Sequence, residues 1–241
     1  MANLILLIGK SGSGKSSSLR RLNPKNTLLF KAINKRLPFQ EKKLGWKELL
    51  RYNNDNNKYE LINNDGNYVI TSNTKDIIEL TKMAIQKKDN FKNIILDDGT
   101  YTMISEFMDR IDEKNWEKFN DLAYNVWMLK KLADNLPNDI NIYLIWHIDT
   151  DDFNNIKLRT VGKLVSDKID IPALVTVTIL ADKYTFYTNN KQIAKSPFGM
   201  FDSDEQPNDL ALIDKKIREY YEMEEVEYLD YDPFFEEPIK G

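Results

Sequence analysis

An apolar run, Leu4-Ile5-Leu6-Leu7-Ile8, leads without a break into Gly9-Lys10-Ser11-Gly12-Ser13-Gly14-Lys15-Ser16. The pattern is G-x-x-x-x-G-K-S at the end of what reads as a buried strand, and Ser17 to Leu22 can continue it as a helix. It constrains the fold more than any other feature, because a strand, a tight glycine-rich loop and a helix must follow one another in space. Glycines let backbone N–H groups curl round phosphate oxygens, and a helix N-terminus adds partial positive charge. Lys15 is placed to reach the β- and γ-phosphates, and the Ser16 hydroxyl to ligate Mg²⁺. Gly9 through Ser17 therefore form a candidate nucleoside-triphosphate site, with ATP and Mg²⁺ as the expected ligands.

Composition excludes several alternatives. The 241 residues contain no cysteine, which removes disulfides and thiolate metal sites. No apolar run approaches membrane-spanning length, and Met-Ala-Asn has no basic region for export, so a cytoplasmic protein without membrane association is expected. The net charge of −4 is unevenly spread: Glu219 to Gly241 carries nine acids and one base, which leaves the preceding 218 residues at +4. Lys31 to Arg51 is the most basic stretch, with Lys31, Lys35, Arg36, Lys42, Lys43, Lys47 and Arg51 against Glu41 and Glu48. A mildly basic body with an acidic tail suits nucleic acid as a partner, and an ordinary solvated surface equally.

Helical and extended signals alternate along the chain. Strands are expected at Asn3–Ile8, Thr27–Ile33, Asn93–Leu96 and Ile140–Ile148. A hairpin is expected where Lys58–Ile62 and Tyr68–Thr71 flank Asn63-Asn64-Asp65-Gly66. Ser72-Asn73-Thr74 caps a helix through about Lys88, Trp116 to Leu136 repeats apolar residues at helical spacing, and Asn208 caps a last helix through Tyr221. Val175, Val177 and Ile179 alternate with threonines before Tyr184–Thr188, which predicts an antiparallel end to the sheet. The expected fold is α/β, a mainly parallel central sheet flanked by helices with a C-terminal antiparallel extension. Two parts are expected, an ATPase domain over 1–221 and an acidic, aromatic tail over 222–241.

Asn93-Ile94-Ile95-Leu96-Asp97-Asp98 is the second nucleotide signal. An acid at the tip of an apolar strand beside the P-loop strand can hold the Mg²⁺ shell, the role expected of Asp97. Its neighbour can orient and deprotonate the attacking water, the role expected of Asp98. The single histidine, His147, ends the fourth strand, where ligands collect in such sheets, so it can sense the γ-phosphate or serve as a satisfied structural residue. Lys10 lies five residues before Lys15, the spacing of the signature lysine of the MinD and ParA ATPases. Ser11-Gly12 stands where those proteins have two glycines, so Lys10 is read as a loop cation near the phosphates.

Taken together, these elements resemble the bacteriophage-encoded RecA-like ATPases known as phage nucleotide-binding proteins, some of which anneal single strands. The matching pieces are the P-loop, Leu37-Pro38-Phe39, Asp97-Asp98, the strand ending in His147 and Thr160-Val161-Gly162-Lys163-Leu164. Ala194-Lys195-Ser196-Pro197-Phe198-Gly199-Met200-Phe201 and Asn208-Asp209-Leu210 complete the set. The resemblance implies a RecA-like P-loop NTPase core, ATP and Mg²⁺, single-stranded DNA as ligand and a homo-oligomeric ring or filament. It also implies a role in phage recombination alongside the host single-strand-binding protein, in the host cytoplasm. In RecA-type ATPases a flexible basic loop after the sensor strand contacts DNA or a neighbour's phosphate, which singles out Lys157, Arg159 and Lys163. One departure stands out: Ala32-Ile33-Asn34 has no acid where RecA places its catalytic glutamate, which leaves Asp98 as the water-activating candidate.

Besides a DNA-dependent ATPase, two other classes compete. A nucleotide-switched adaptor in replication or packaging needs the same phosphate site and slow hydrolysis. A nucleotide kinase needs clustered arginines over the transferring phosphate, whereas the seven arginines here are not clustered after the acids. In the tail, Tyr228, Tyr231, Phe234 and Phe235 interleave with acids. That pattern suits either packing against the chain's own core or competition with DNA for the basic surface.

Overall fold

The computed structural model describes residues 1–87 and 90–230. Eleven strands form one sheet: β1 (Asn3–Gly9), β2 (Thr27–Lys31), β3 (Glu48–Asn53), β4 (Lys58–Leu61), β5 (Tyr68–Ile70), β6 (Asn93–Asp97), β7 (Asn141–Thr150), β8 (Ile156–Leu158), β9 (Val177–Asp182), β10 (Thr185–Tyr187) and β11 (Glu205–Pro207). The helices are α1 (Thr74–Lys87), α2 (Thr100–Asp109), α3 (Glu117–Asn135), the single turn α4 (Lys163–Ser166) and α5 (Leu210–Tyr220). No helix among the described residues is long and apolar enough to cross a membrane.

The sheet runs β11-β10-β9-β1-β7-β6-β2-β5-β3-β4, with β8 attached to β7. From β9 to β3 every neighbour is parallel, while β4, β10, β11 and β8 join antiparallel. This is the expected α/β class. The central parallel strands β1, β2, β6, β7 and β9 are apolar on both sides because both faces are covered. Leu4, Leu6 and Ile8 face one core with Phe30, Leu96, Leu144, Trp146 and α3, whereas Ile5 and Leu7 face the other with Tyr143, Ile145, Leu19 and α5.

Several local expectations change. β7 lies between β1 and β6, so the Asp97 strand is not beside the P-loop strand; β7 and not β6 carries the direct pairing with β1. The Asp65-Gly66 hairpin does not form. β4 folds back on β3 instead, and β5 enters the sheet parallel to both β2 and β3. Burial explains the choice, since Val69 belongs in the core while β4 is mostly exposed. The segment after the P-loop is a short 3-10 turn, Ser16–Arg21, and not a full helix. It stops where Leu22 turns extended and bridges to Tyr228. β9 is parallel to β1, so the antiparallel extension begins only at β10. The last helix is capped by Asp209, whose carboxylate accepts from the Ala211 N–H at 2.9 Å, and not by Asn208. Lys88 lies outside the described residues, as do Tyr231, Phe234 and Phe235 of the tail.

Candidate functional site, a phosphate-binding loop with paired acids

Parallel register brings the C-terminal ends of the central strands to one edge. Gly9 is level with His147 and with Ala181, and Lys31 is level with Asp97. The loop leaving β1 curls over that edge with Gly12 and Gly14 at φ +77 and +95, the left-handed region that glycine enters without strain. Gly14 has a second reason to lack a side chain: a Cβ there would sit 2.7 Å from Asn208 Nδ2 and 2.8 Å from the Tyr184 ring. Gly9, Lys10, Ser11, Gly12, Ser13, Gly14, Lys15, Ser16 and Ser17 thus form the loop that the motif predicts. Its cleft of about 280 Å³ is also lined by Lys35, Pro38, Asp98, His147 and Tyr184.

Lys15 is buried and its ammonium donates to the carbonyls of Gly9 and Lys10, both at 2.8 Å. Burial pushes its pKa down to about 8, against the opposing pull of Asp98 and Asp97. The Ser16 hydroxyl donates to Asp97 Oδ1 at 2.9 Å. Asp97 is itself buried, and burial first, then the charge of Asp98, raises its pKa. This pair of hard oxygens fits a Mg²⁺ that takes its remaining ligands from phosphate and water, the usual way that ion is held in phosphate sites. Among the described residues no group of three or more His, Cys, Asp or Glu forms a metal cage, so Ser16 and Asp97 are the pair that would hold the ion.

Asp98 sits at φ +57, a left-handed conformation that Asp tolerates better than most residues. Gly99 follows it against the Trp146 ring, and the Gly99 N–H donates to the Ile145 carbonyl at 2.8 Å. The turn holds Asp98 pointing at β7, where His147 Nε2 lies 3.1 Å from Oδ1; Oδ2 is ion-paired with the Lys35 ammonium. Burial alone would raise the Asp98 pKa. The His147 hydrogen bond and the Lys35 pair outweigh it and hold the carboxyl below its ordinary value. His147 does not end its strand as expected. β7 runs three residues further, to Thr150, because β8 folds back and pairs with Ile148–Thr150.

Lys157, Arg159 and Lys163 do not join the P-loop cleft. Lys157 lies on β8 and Lys163 opens α4, both exposed beside a separate groove of about 610 Å³. Arg159 is held by Asp149, its Nε and Nη2 donating at 2.7 to 3.2 Å. It lines a cavity of about 590 Å³ that shares Ser11, Lys35, Asp98 and His147 with the P-loop cleft. The Lys157–Arg159 part of the expected flexible basic loop is therefore a hairpin pinned to β7, and Lys163 lies beyond it on α4.

Two site residues escape the motif reading. Lys35 comes from the loop after β2, and its only signal was membership of the basic stretch from Lys31 to Arg51. Tyr184 sits exposed at φ +64 in the turn between β9 and β10, against Gly14.

No family model and no curated protein matches this chain. Among solved structures it is similar to a KaiC-like protein from the archaeon Pyrococcus horikoshii, with a TM-score of 0.41 and 11% identity over 74% of this chain and 70% of that one. A likeness so slight carries nothing about ligand or partner.

Proposed function

We propose that the chain is a Mg²⁺-dependent P-loop ATPase. One observation carries this reading: Ser16 and Asp97 meet at 2.9 Å beside Lys15, with Asp98 adjoining on its His147 anchor. Lys15 and the loop N–H groups hold the phosphates of ATP. Ser16 and Asp97 would hold a Mg²⁺, which would supply charge neutralisation to the phosphates. Asp98 orients the water whose oxygen bonds to the γ-phosphorus as the bond to the β–γ bridging oxygen breaks. The bond pair leaves with ADP, and the water's proton passes to the Asp98 carboxylate. His147 fixes that carboxylate through Oδ1. Tyr184, on the rim, offers a face on which the base can stack.

We propose further that the ATPase binds, and anneals, single-stranded DNA in phage recombination, as a homo-oligomer working with a host single-strand-binding protein. Supporting this are the sequence resemblance and the exposed Lys157 and Lys163 beside an open groove. A second reading, a nucleotide-switched adaptor, is favoured by Arg159, whose charge Asp149 already neutralises. Phosphate release measured with and without single-stranded DNA, at fixed Mg²⁺-ATP, separates the two. Stimulation by DNA supports the recombination reading and indifference supports the adaptor. Absence of any ATP binding defeats both.

A further inference from the structure

Asp98 has both oxygens engaged. Oδ1 faces His147 Nε2 and Oδ2 carries the Lys35 ammonium, and the residue is only 3% exposed. Each oxygen keeps a second acceptor site, but the Lys35 ammonium on Oδ2 draws on the carboxylate's basicity and crowds a water approaching from the cleft that both residues line. Lys35 is the partner able to leave. Its side chain is 47% exposed, it stands on a loop, and it lines both the P-loop cleft and the cavity beyond Asp98. His147, in contrast, is fixed on β7, its backbone N–H donating to Thr100 Oγ1 at 2.9 Å.

The electrostatics of the cleft favour an exchange. The Lys15 and Lys35 ammoniums feel each other, the charge on Lys35 helping to lower the pKa of Lys15. Two cations therefore converge at the edge of the sheet where a triphosphate chain would end, opposite Asp97 and Asp98. A γ-phosphate carries more negative charge than one carboxylate and presents three acceptor oxygens, so it outcompetes Oδ2 for an ammonium within reach. A diphosphate ends one phosphate short and has nothing to offer at that position.

We propose that Lys35 is a γ-phosphate ligand acting within its own chain. The triphosphate draws it off Asp98 Oδ2, so that the substrate itself uncovers the oxygen that the attacking water needs. Lys35 thereby distinguishes ATP from ADP. This rests on the ATPase reading above and adds a residue that no motif marks.

The test compares wild type, Lys35→Met and Lys35→Arg by fluorescence titration with a β,γ-imido ATP analogue and with ADP, both with Mg²⁺, alongside steady-state hydrolysis. Lys35→Met should bind ADP like wild type but lose roughly ten- to a hundred-fold in affinity for the triphosphate analogue, the loss of a charge-assisted hydrogen bond. Its kcat should fall by about ten-fold or more, and Lys35→Arg should restore the preference for triphosphate. A Lys35→Met variant that keeps that preference overturns the assignment, as does one that weakens ADP and the analogue equally. Faster hydrolysis in Lys35→Met with the preference intact would show that Lys35 only covers Asp98, and would also overturn it. If wild type binds neither nucleotide, the ATPase reading itself falls, a result distinct from each of these.

Discussion

The Gly99 backbone lies against the indole of Trp146: a Cβ at Gly99 would come within 2.8 Å of the Trp146 ring, whose Nε1 in turn donates to the Arg159 carbonyl at 2.8 Å. One fully buried side chain thus supports the turn that presents Asp98 and anchors the segment that leaves β8. Gly99→Ala should force the ring or the turn to move and destabilise the protein by about 1–3 kcal/mol, the usual effect of overpacking a core. Thermal melting measures the loss. Because the turn carries Asp98, kcat should fall more than nucleotide affinity.

Asp98→Asn should leave Mg²⁺-ATP binding within a few-fold of wild type and slow hydrolysis by at least about ten-fold, since an amide cannot take the water's proton. Lys15→Ala should abolish tight binding altogether. A single-turnover assay on pre-bound ATP separates the two, and normal turnover in Asp98→Asn would point to another base.

The depressed pKa of Lys15, about 8 against an ordinary 10.5, has a definite pH signature. Between those values the unfolded chain holds a proton that the ligand-free fold has released, so stability of the free protein should rise with pH across that window. Triphosphate binding requires the ammonium and so takes up a proton there. Affinity should accordingly fall by up to about ten-fold per pH unit above pH 8. Calorimetry in buffers of different ionisation enthalpy reads the proton uptake directly.

Asp214 on α5 is fully buried and ion-paired with Arg218 at 2.8 Å. It also accepts from Asn141 Nδ2, the Tyr143 hydroxyl and, at 2.7 Å, the Tyr228 hydroxyl. Burial, with Asp214 adding to it, raises the pKa of both phenols, which keeps them protonated as donors. Asp214→Ala should cost about 3–5 kcal/mol by stranding Arg218 in the core. Tyr228→Phe should cost about 1–3 kcal/mol. Truncation after Tyr221 removes the same hydrogen bond together with the Leu229 N–H to Arg21 carbonyl bond, and should lower the melting temperature. If truncation instead tightens single-stranded DNA binding at low salt with no thermal loss, the acidic tail acts as a competitor for the basic surface.

For the DNA reading, Lys157→Ala and Lys163→Ala should each flatten the salt dependence of single-strand binding, by about 0.7 in log–log slope for every phosphate left without its cation. Arg159→Ala should contribute less, because Asp149 already holds that guanidinium.

The phosphate site was legible because its chemistry is written contiguously: Gly9 to Ser17 and Asp97-Asp98 each carry their own spacing. Lys35 was not, since its place over Asp98 depends on how the loop after β2 is thrown across the sheet edge. Strand order was half legible. Apolar runs marked β1, β2, β6 and β7, but nothing local says that β7 inserts between β1 and β6. The Asp65-Gly66 turn signal misled because the burial of Val69 between β2 and β3 outweighs a turn preference. β3 and α2 gave no clear period, being short and only partly buried.

β7 spans ten residues from Asn141 to Thr150, pairing β1 and β6 along the sheet and β8 beyond it. Mechanically it is a rod without a joint. It carries His147, 3.1 Å from Asp98, and, a few residues on, the hairpin bearing Lys157. Any shift of β7 would therefore reach Lys157 through the strand's own cross-pairing with β8, with no loop to absorb it. The hairpin and the Asp98 site would then move as one body.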